Sequence, residues 1–171
     1  AGTARTFHTA GGRDVEITGP YGWKLDVAGE VAALTQLIQA GLGEGEQDRE
    51  PVYAATAASR SLPDWGNTYV EIDLTGQHVY MFQEGNLVWE APCVTGNIAK
   101  NYNTPAGIYS LTYKEMDRIL RGAKKADGTY EYESHVDYWM PFNGGIGLHD
   151  ANWRSKFGGT IYQTSGSHGC I

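Results

Sequence analysis

The chain has 171 residues, of which 41% are hydrophobic and 19% are charged, and its formal net charge at pH 7 is -7. This length suffices for one ordinary domain or for a domain with part of another, and the composition is that of a globular protein. The negative charge, and the lack of a dense basic and aromatic stretch, argue against a nucleic-acid partner. No run approaches the roughly eighteen apolar residues of a membrane span, and the N-terminus shows no signal peptide.

The first fifty residues predict the C-terminal part of a small α+β module. Two short strand candidates, VEI and GWKLDV, flank a Gly-Pro turn, and Asp26 is a suitable N-cap for a helix. That helix would present four apolar residues on one face between Val27 and Ile38 and would end at Gly41. Residues 51–66 predict a linker, because their prolines cannot donate to a strand ladder.

A mainly β domain is predicted over residues 67–171. YVEIDL, HVYMFQ and LVWEAPCVTG are strand candidates joined by short glycine-containing turns, which is the pattern of a β-meander. Further strands are predicted at GIYSLTY and YEYESHVDYWMPF, and IGLHD predicts a short strand that ends in His149 and Asp150. The basic stretch RILRGAKK, from Arg118 to Lys125, is typical of a solvated loop or helix end.

The two cysteines occur in different surroundings. Cys93 lies in an apolar strand-like run, where a buried and inert thiol is the usual case. Cys170 lies in GSHGCI, among glycines and a histidine. Neither has a C-x-x-C partner, so a metal site ranks last among the alternatives, while a disulfide between Cys93 and Cys170 stays open.

Cysteine attack on a carbonyl needs a thiolate, a base and donors for the oxyanion. Cys170 is the candidate nucleophile, and His149 or His168 is the candidate base. His168 is two residues from Cys170 and poorly oriented for a linear hydrogen bond, whereas His149 comes from another element and can face the sulfur. We therefore favour His149 as the base and give His168 a supporting role. Asp150, through its side chain or the local backbone, would hold the imidazole in one tautomer.

The oxyanion donors are predicted to be the backbone N–H groups of His168, Gly169 and Cys170. Gly169 lacks a side chain, which lets backbone donors and substrate approach closely. The aromatic cluster DYWMPF, which contains Tyr138 and Trp139, is expected to form core first and the substrate-binding wall second. On spacing alone, a histidine or cysteine of this kind is structural about as often as it is catalytic.

These motifs resemble the L,D-transpeptidase catalytic domain, also called the YkuD domain. IDLTGQHVYMFQEGNLVWEAPCVTGN, NTPAGIYSL, YWMPFNGGIGLHDANW and SGSHGCI occur in the order of that domain over residues 67–171. VEITGPYGWKLDVAGEVAALTQLI and REPVY resemble the end of the peptidoglycan-binding module that precedes it in some Gram-positive members. The resemblance implies a mainly β fold, in which a mixed β-sheet catalytic domain with a short helix follows part of a small α+β module at residues 1–50.

The resemblance also implies the roles of single residues. Cys170 matches the acylated nucleophile, His149 the histidine paired with it, and Asp150 the neighbour that positions this histidine. The implied reaction cleaves a tetrapeptide stem after its third residue, holds it as a thioester and passes it to an amine of another stem, which gives a 3→3 crosslink. No cofactor or metal is implied, and carbapenems are expected to acylate the same cysteine. The residues beside the nucleophile, with backbone donors for the oxyanion, are Ser167, His168 and Gly169.

The family continues past this cysteine with a helix and a final strand, so we expect the domain to be truncated after the nucleophile. We expect a role in peptidoglycan biosynthesis, cell-wall organisation and cell shape, outside the cytoplasm at the cell wall or cell surface. The parent would be secreted or membrane-anchored, with any membrane contact in segments outside this sequence. Two alternatives stay open. One is a cell-wall L,D-carboxypeptidase or cysteine peptidase that passes the thioester to water, and the other is a non-catalytic wall-binding protein with disulfide-bonded cysteines.

Overall fold

A computed structural model describes residues 2–41 and 48–171 of the chain. Within these residues the strands form two three-stranded and two two-stranded sheets, which confirms the mainly β fold. The helices are α1 (Val27–Gln39), the short α2 (Ile161–Ser165) and a 3-10 helix (Ile98–Lys100). The strands are β1 (Arg5–His8), β2 (Asp14–Ile17), β3 (Lys24–Leu25), β4 (Tyr53–Ala55), β5 (Tyr69–Asp73), β6 (His78–Gln83), β7 (Asn86–Pro92), β8 (Glu115–Arg121), β9 (Glu133–Asn143) and β10 (Ile146–His149).

The helix predicted after Asp26 is α1. The Asp26 carboxylate accepts a hydrogen bond from the Gly29 N–H at 3.0 Å, which satisfies one of the free donors of the first turn. The helix ends before Gly41, whose φ of 78° is left-handed and suits a glycine after a helix terminus. None of the helices in the described part of the chain has both the length and the apolar character that crossing a bilayer requires.

Part of the predicted linker is a strand. β4 lies within residues 51–66 and pairs antiparallel with β3. The Asp26 N–H donates to the Val52 carbonyl at 2.9 Å, and the rings of Trp23 and Tyr53 meet edge to face at 5.0 Å. Local composition did not reveal this strand, because its partner β3 lies far upstream and the two prolines flank it.

The N-terminal hairpin of β1 and β2 packs against the following domain. Arg5 and Asp64 form a largely buried ion pair, with Nη2 and Oδ2 at 2.7 Å. The Ala10 N–H, in the hairpin turn, lies within hydrogen-bond distance of both carboxylate oxygens of Glu71 on β5, at 3.0 and 2.9 Å. Burial raises the pKa of Glu71, and the hydrogen bond from Ala10 opposes that rise.

The predicted meander is the antiparallel sheet of β5, β6 and β7. β6 and β7 are joined by Glu84 and Gly85, whose φ values of 52° and 80° are both positive, as in the turns that suit tight hairpins. The turn between β5 and β6 is held by the Asp73 carboxylate, which accepts the N–H groups of Thr75 and Gly76. These local signals explain why the meander could be predicted.

The second three-stranded sheet has the order β10-β9-β8 and corrects two predictions. GIYSLTY forms no strand. Within it the Ile108 N–H bonds to the Thr18 carbonyl and the Thr112 N–H to the Pro141 carbonyl, so the segment crosses between two elements instead of joining a ladder. The start of RILRGAKK lies in β8 and pairs with β9. Hydrogen bonds to this long neighbouring strand stabilise an extended conformation in spite of the charged residues.

The hydrophobic core joins the two large sheets. Val79, Cys93 and Ile171 are its buried members, and Leu148 of β10 packs against them. Ile171 directly follows Cys170, so burial of the Ile171 side chain in the core fixes the position of the Cys170 backbone relative to the sheets.

Candidate active site

Cys170 and His149 lie on the same face of a short ladder. The Ile171 N–H donates to the Gly147 carbonyl and the His149 N–H donates to the Ile171 carbonyl, both at 3.0 Å. This pattern is that of parallel strands, with Ile171 beside Leu148. Both of these residues belong to the hydrophobic core. Because side chains alternate along an extended chain, Cys170 and His149 point together to the opposite face.

The segment before Cys170 is anchored to the loop that follows β7. The Ser167 N–H donates to the Thr95 carbonyl at 3.0 Å, and the Asn97 N–H donates to the Ser167 carbonyl at 2.9 Å. The buried Asn97 side chain also donates to the Thr164 carbonyl in α2 at 2.8 Å. The short helix and the cysteine are therefore held by the same loop.

The Thr104 hydroxyl is a second buried link to the cysteine segment. It accepts the Gly96 N–H at 2.9 Å and donates to the Gly169 carbonyl at 2.8 Å. Gly169 has a φ of +113°, and a Cβ added there would lie 3.0 Å from Cδ1 of Ile146. Glycine is required at this position both for its backbone conformation and for the space that its neighbour occupies.

The backbone holds the His149 imidazole in one tautomer. Its Nδ1 lies 2.7 Å from the carbonyl oxygen of Asp150. A carbonyl only accepts hydrogen bonds, so Nδ1 carries the proton and Nε2 of the neutral ring remains as a proton acceptor. The rings of Trp139 and Trp153 lie nearby, with centroids 6.1 and 5.9 Å from that of His149.

The Asp150 carboxylate makes a different contact. Its Oδ1 accepts the Tyr138 N–H of β9 at 2.8 Å, and its buried Oδ2 has no partner among the described residues. Of the two routes that the sequence left open, the structure therefore shows the backbone carbonyl of Asp150 orienting His149. The carboxylate fastens the end of β10 to β9.

The Cys170 thiol is partly buried beside β10. Its Sγ lies 3.6 Å from the Gly145 carbonyl oxygen, to which the thiol donates. Burial raises the pKa of the Cys170 thiol, and a hydrogen bond from the Gly147 backbone opposes this rise. The resting cysteine is thus a protonated thiol at neutral pH, and attack requires a base that removes the proton during the reaction.

One of the predicted oxyanion donors is already engaged. The Ser167 hydroxyl accepts the Gly169 N–H at 3.0 Å and donates to the Cys170 carbonyl. A serine hydroxyl commonly closes such a turn on the backbone two residues ahead, and this corrects the assignment of Gly169 as a donor. The N–H groups of His168 and Cys170 make no hydrogen bond to the residues that the structure describes. These two groups remain available for a negatively charged oxygen.

The sequence of this domain matches a known family. The model of the YkuD family, the L,D-transpeptidase catalytic domain, matches residues 67–171, which is more than half of the chain. This chain belongs to the L,D-transpeptidase catalytic domain family. No curated protein matches the chain.

Several solved structures are similar to it. A crystal structure of an Enterococcus faecium L,D-transpeptidase mutant is 34% identical with a TM-score of 0.75, covering 99% of this chain and 65% of that one. The carbamoyl enzyme of Ldtfm with avibactam is also 34% identical with a TM-score of 0.75, covering 98% of this chain and 63% of that one. An NMR structure of the E. faecium catalytic domain acylated by ertapenem is 42% identical with a TM-score of 0.52, covering 61% of this chain and 79% of that one. This chain thus spans slightly less than two thirds of the first two chains.

In this YkuD domain, the His168 ring packs against two tyrosine rings in tilted contacts. Its ring centroid lies 4.4 Å from that of Tyr102 and 4.8 Å from that of Tyr132. Burial, and to a lesser extent the Cys170 charge, raise the pKa of Tyr132. Sequence reasoning missed both tyrosines. One lies in a loop and the other at the base of the β8–β9 connection, so no sequence signal separates them from the rest of the 11 tyrosines.

Of the two aromatic residues predicted to line the site, the structure brings one to it. Trp139 is buried, pairs across the strands with His149, and donates from Nε1 to the Tyr113 hydroxyl at 3.3 Å. Tyr138 is the preceding residue of β9, so its side chain points to the opposite face, where it is 53% exposed. The sequence analysis did not assign Trp153 to the site. Its position only four residues after His149 was a signal that could have suggested it.

Cys93 lies in the core of the domain. Burial raises the pKa of its thiol to about 11, which leaves the thiol protonated at neutral pH. Both cysteines are free, so the disulfide on which the non-catalytic alternative depended is not formed.

Proposed function

We propose that this protein is an L,D-transpeptidase that forms 3→3 crosslinks in peptidoglycan through a cysteine thioester. One observation carries the proposal. Cys170 and His149 share a face, and the Asp150 carbonyl fixes the imidazole so that Nε2 is the proton acceptor. Membership of the family supplies the reaction class, and this arrangement supplies the nucleophile and base that the reaction needs.

In the acylation step, His149 takes the thiol proton while Cys170 attacks the carbonyl between the third and fourth residues of a tetrapeptide stem. The oxygen of the tetrahedral intermediate becomes negative and is stabilised by the N–H groups of His168 and Cys170. When the intermediate collapses, the C–N bond breaks and the protonated His149 gives its proton to the leaving amine. The fourth residue departs, and the third residue is held as a thioester.

In the transfer step, a side-chain amine of a second stem attacks the thioester carbonyl. His149 removes a proton from this amine and returns it to the sulfur as the C–S bond breaks. The products are a crosslinked pair of stems and the free thiol, so two half-reactions use the same base with no net change in the protein. No cofactor enters this scheme.

The partners follow from this chemistry. Stem peptides of peptidoglycan are the substrates, and β-lactams of the carbapenem class are covalent inhibitors at Cys170. The E. faecium catalytic domain acylated by ertapenem supports the second statement. The Ldtfm carbamoyl enzyme formed with avibactam is a covalent adduct with an inhibitor of another class. Because peptidoglycan lies outside the cytoplasmic membrane, we place the protein at the cell wall or cell surface. There it would contribute to cell-wall organisation and cell shape.

The test uses the protein at its natural length with purified disaccharide-tetrapeptide and mass spectrometry of the products. Crosslinked dimers that disappear in Cys170→Ala and persist in the matched control Cys93→Ala would support transfer. Tripeptides without dimers would identify an L,D-carboxypeptidase instead. A folded wild-type protein that gives neither product, and gains no mass from a carbapenem, would overturn the assignment of Cys170 as an acylated nucleophile.

A further inference from the structure

A polar cavity of about 370 Å³ lies beside the candidate active site. It lies between the segment that follows β10 and the helix α2, and it is largely open to solvent. Two of its lining side chains are cationic, and none is acidic. The lining residues are Trp153, Arg154, Ser155, Lys156, Ile161 and Ser165.

No carboxylate within residues 2–41 and 48–171 forms an ion pair with the cations of this cavity. Neither Arg154 nor Lys156 has an ion pair with a carboxylate among the described residues, although other arginines of the chain form such pairs. Arg154 is fixed in place because its Nη2 donates to the Ser165 carbonyl at 2.9 Å. The exposed Lys156 makes no hydrogen bond to the described residues. The chain has a net charge of -7, so two cations at one cavity with no carboxylate partner in the described part of the chain favour an anionic ligand.

The cavity is connected to the base by Trp153. This residue lines the cavity, and its ring centroid lies 5.9 Å from that of His149. In the proposed acylation, His149 protonates the amine of the departing fourth residue. The carboxylate of that residue is only two covalent bonds from the same amine, so it must lie close to His149 as well.

We propose that this cavity binds the terminal carboxylate of the fourth residue of the donor stem, with Lys156 as its direct partner and Arg154 beside it. The inference rests on the proposed function and adds the group by which the donor is selected. A charge-assisted hydrogen bond from Lys156 would favour a donor that ends at the fourth residue over one whose terminus is neutral or extended.

The experiment compares a tetrapeptide donor with a free C-terminal carboxylate and the same donor with a C-terminal carboxamide. Release of the fourth residue or its amide gives kcat/KM for acylation. For wild-type protein, kcat/KM is expected to be about tenfold higher with the acid than with the amide. A ratio of this size corresponds to the free energy of one charge-assisted hydrogen bond. Lys156→Gln should remove most of this preference, and Lys156→Arg should keep much of it. Lys24→Gln, an exposed lysine on β3, is the matched control and should behave as wild type.

Two results would overturn the inference while leaving the proposed function intact. One is an equal rate for the acid and the amide donor in wild-type protein that still gains one carbapenem adduct. The other is a full preference retained in Lys156→Gln. A second arm varies the acceptor instead, with its own carboxylates free or amidated. If Lys156→Gln alters only the response to the acceptor, the cavity serves that stem and the donor assignment is wrong.

Discussion

The Nδ1 atom of His149 lies 2.7 Å from the carbonyl oxygen of Asp150, the next residue in the chain. The orienting group is therefore part of the backbone, and a substitution of the Asp150 side chain does not remove it. The carboxylate is occupied elsewhere, with the Tyr138 N–H.

The contact between His149 and the Asp150 carbonyl predicts different effects for substitutions of these two residues. We expect His149→Ala to slow carbapenem acylation by about a hundredfold or more, the usual contribution of a general base. Asp150→Asn should stay within about tenfold of wild type, because the carbonyl remains and the amide oxygen can still accept the Tyr138 N–H. Acylation rates followed by intact mass would check this. An equally severe loss in Asp150→Asn would show that the carboxylate itself takes part.

Alkaline pH should destabilise the fold through Cys93. Its pKa is raised to about 11 in the folded protein from the ordinary value of 9.0, so the unfolded state releases the thiol proton first as the pH rises. The stability that the neutral thiol provides is complete below pH 9 and is lost progressively as the pH rises through 11. The loss is at most about 2.7 kcal/mol for two pKa units.

Urea unfolding of wild type and Cys93→Ala between pH 8 and pH 11 measures this loss. The two proteins differ only at Cys93, so the difference between their free energies of unfolding isolates the contribution of this thiol. A difference that stays constant across this range would contradict the prediction.

The Thr104 hydroxyl should be important for the stability of the cysteine segment. Thr104→Val removes both of its buried hydrogen bonds and leaves the Gly96 N–H and the Gly169 carbonyl without partners. We expect a loss of roughly 2–4 kcal/mol in the free energy of unfolding. Thr104→Ser retains the hydroxyl and should recover most of it. Equal stability of the valine and serine variants would mean that the hydroxyl contributes little.

The ring contacts of His168 give a prediction about tyrosines. We expect Tyr132→Ala to slow acylation about as much as His168→Ala does, because each removes one ring of the contact between Tyr132 and His168, which holds the segment before Cys170. Tyr132→Phe retains the ring and should remain near the wild-type rate. Both losses should be smaller than that of His149→Ala. If His168→Ala is the most severe of these variants, His168 rather than His149 is the base.

The sequence was sufficient where neighbouring residues settle the structure. The meander and α1 with its Asp26 cap depend on alternation, capping and glycine positions within a few residues. Prediction of secondary structure failed where hydrogen bonds to a segment distant in the sequence determined the conformation. GIYSLTY has a strand-like composition, yet its hydrogen bonds go to Thr18 and Pro141, and charged RILR joins a sheet because β9 lies beside it.

From the sequence alone, the ordered segments over residues 67–171 were enough to identify the family. The motifs SHGC and GLHD within them singled out Cys170 and His149, since reactive groups of this kind stand in short, recognisable runs of residues. Only the tertiary structure decided how these groups are held. The core position of Ile171, the carbonyl behind His149, the hydroxyl that takes the Gly169 N–H and the tyrosines around His168 all come from contacts made in the folded chain. Such contacts depend on the packing of segments distant in the sequence or on the backbone path of a tight turn, which no local pattern of residue types specifies.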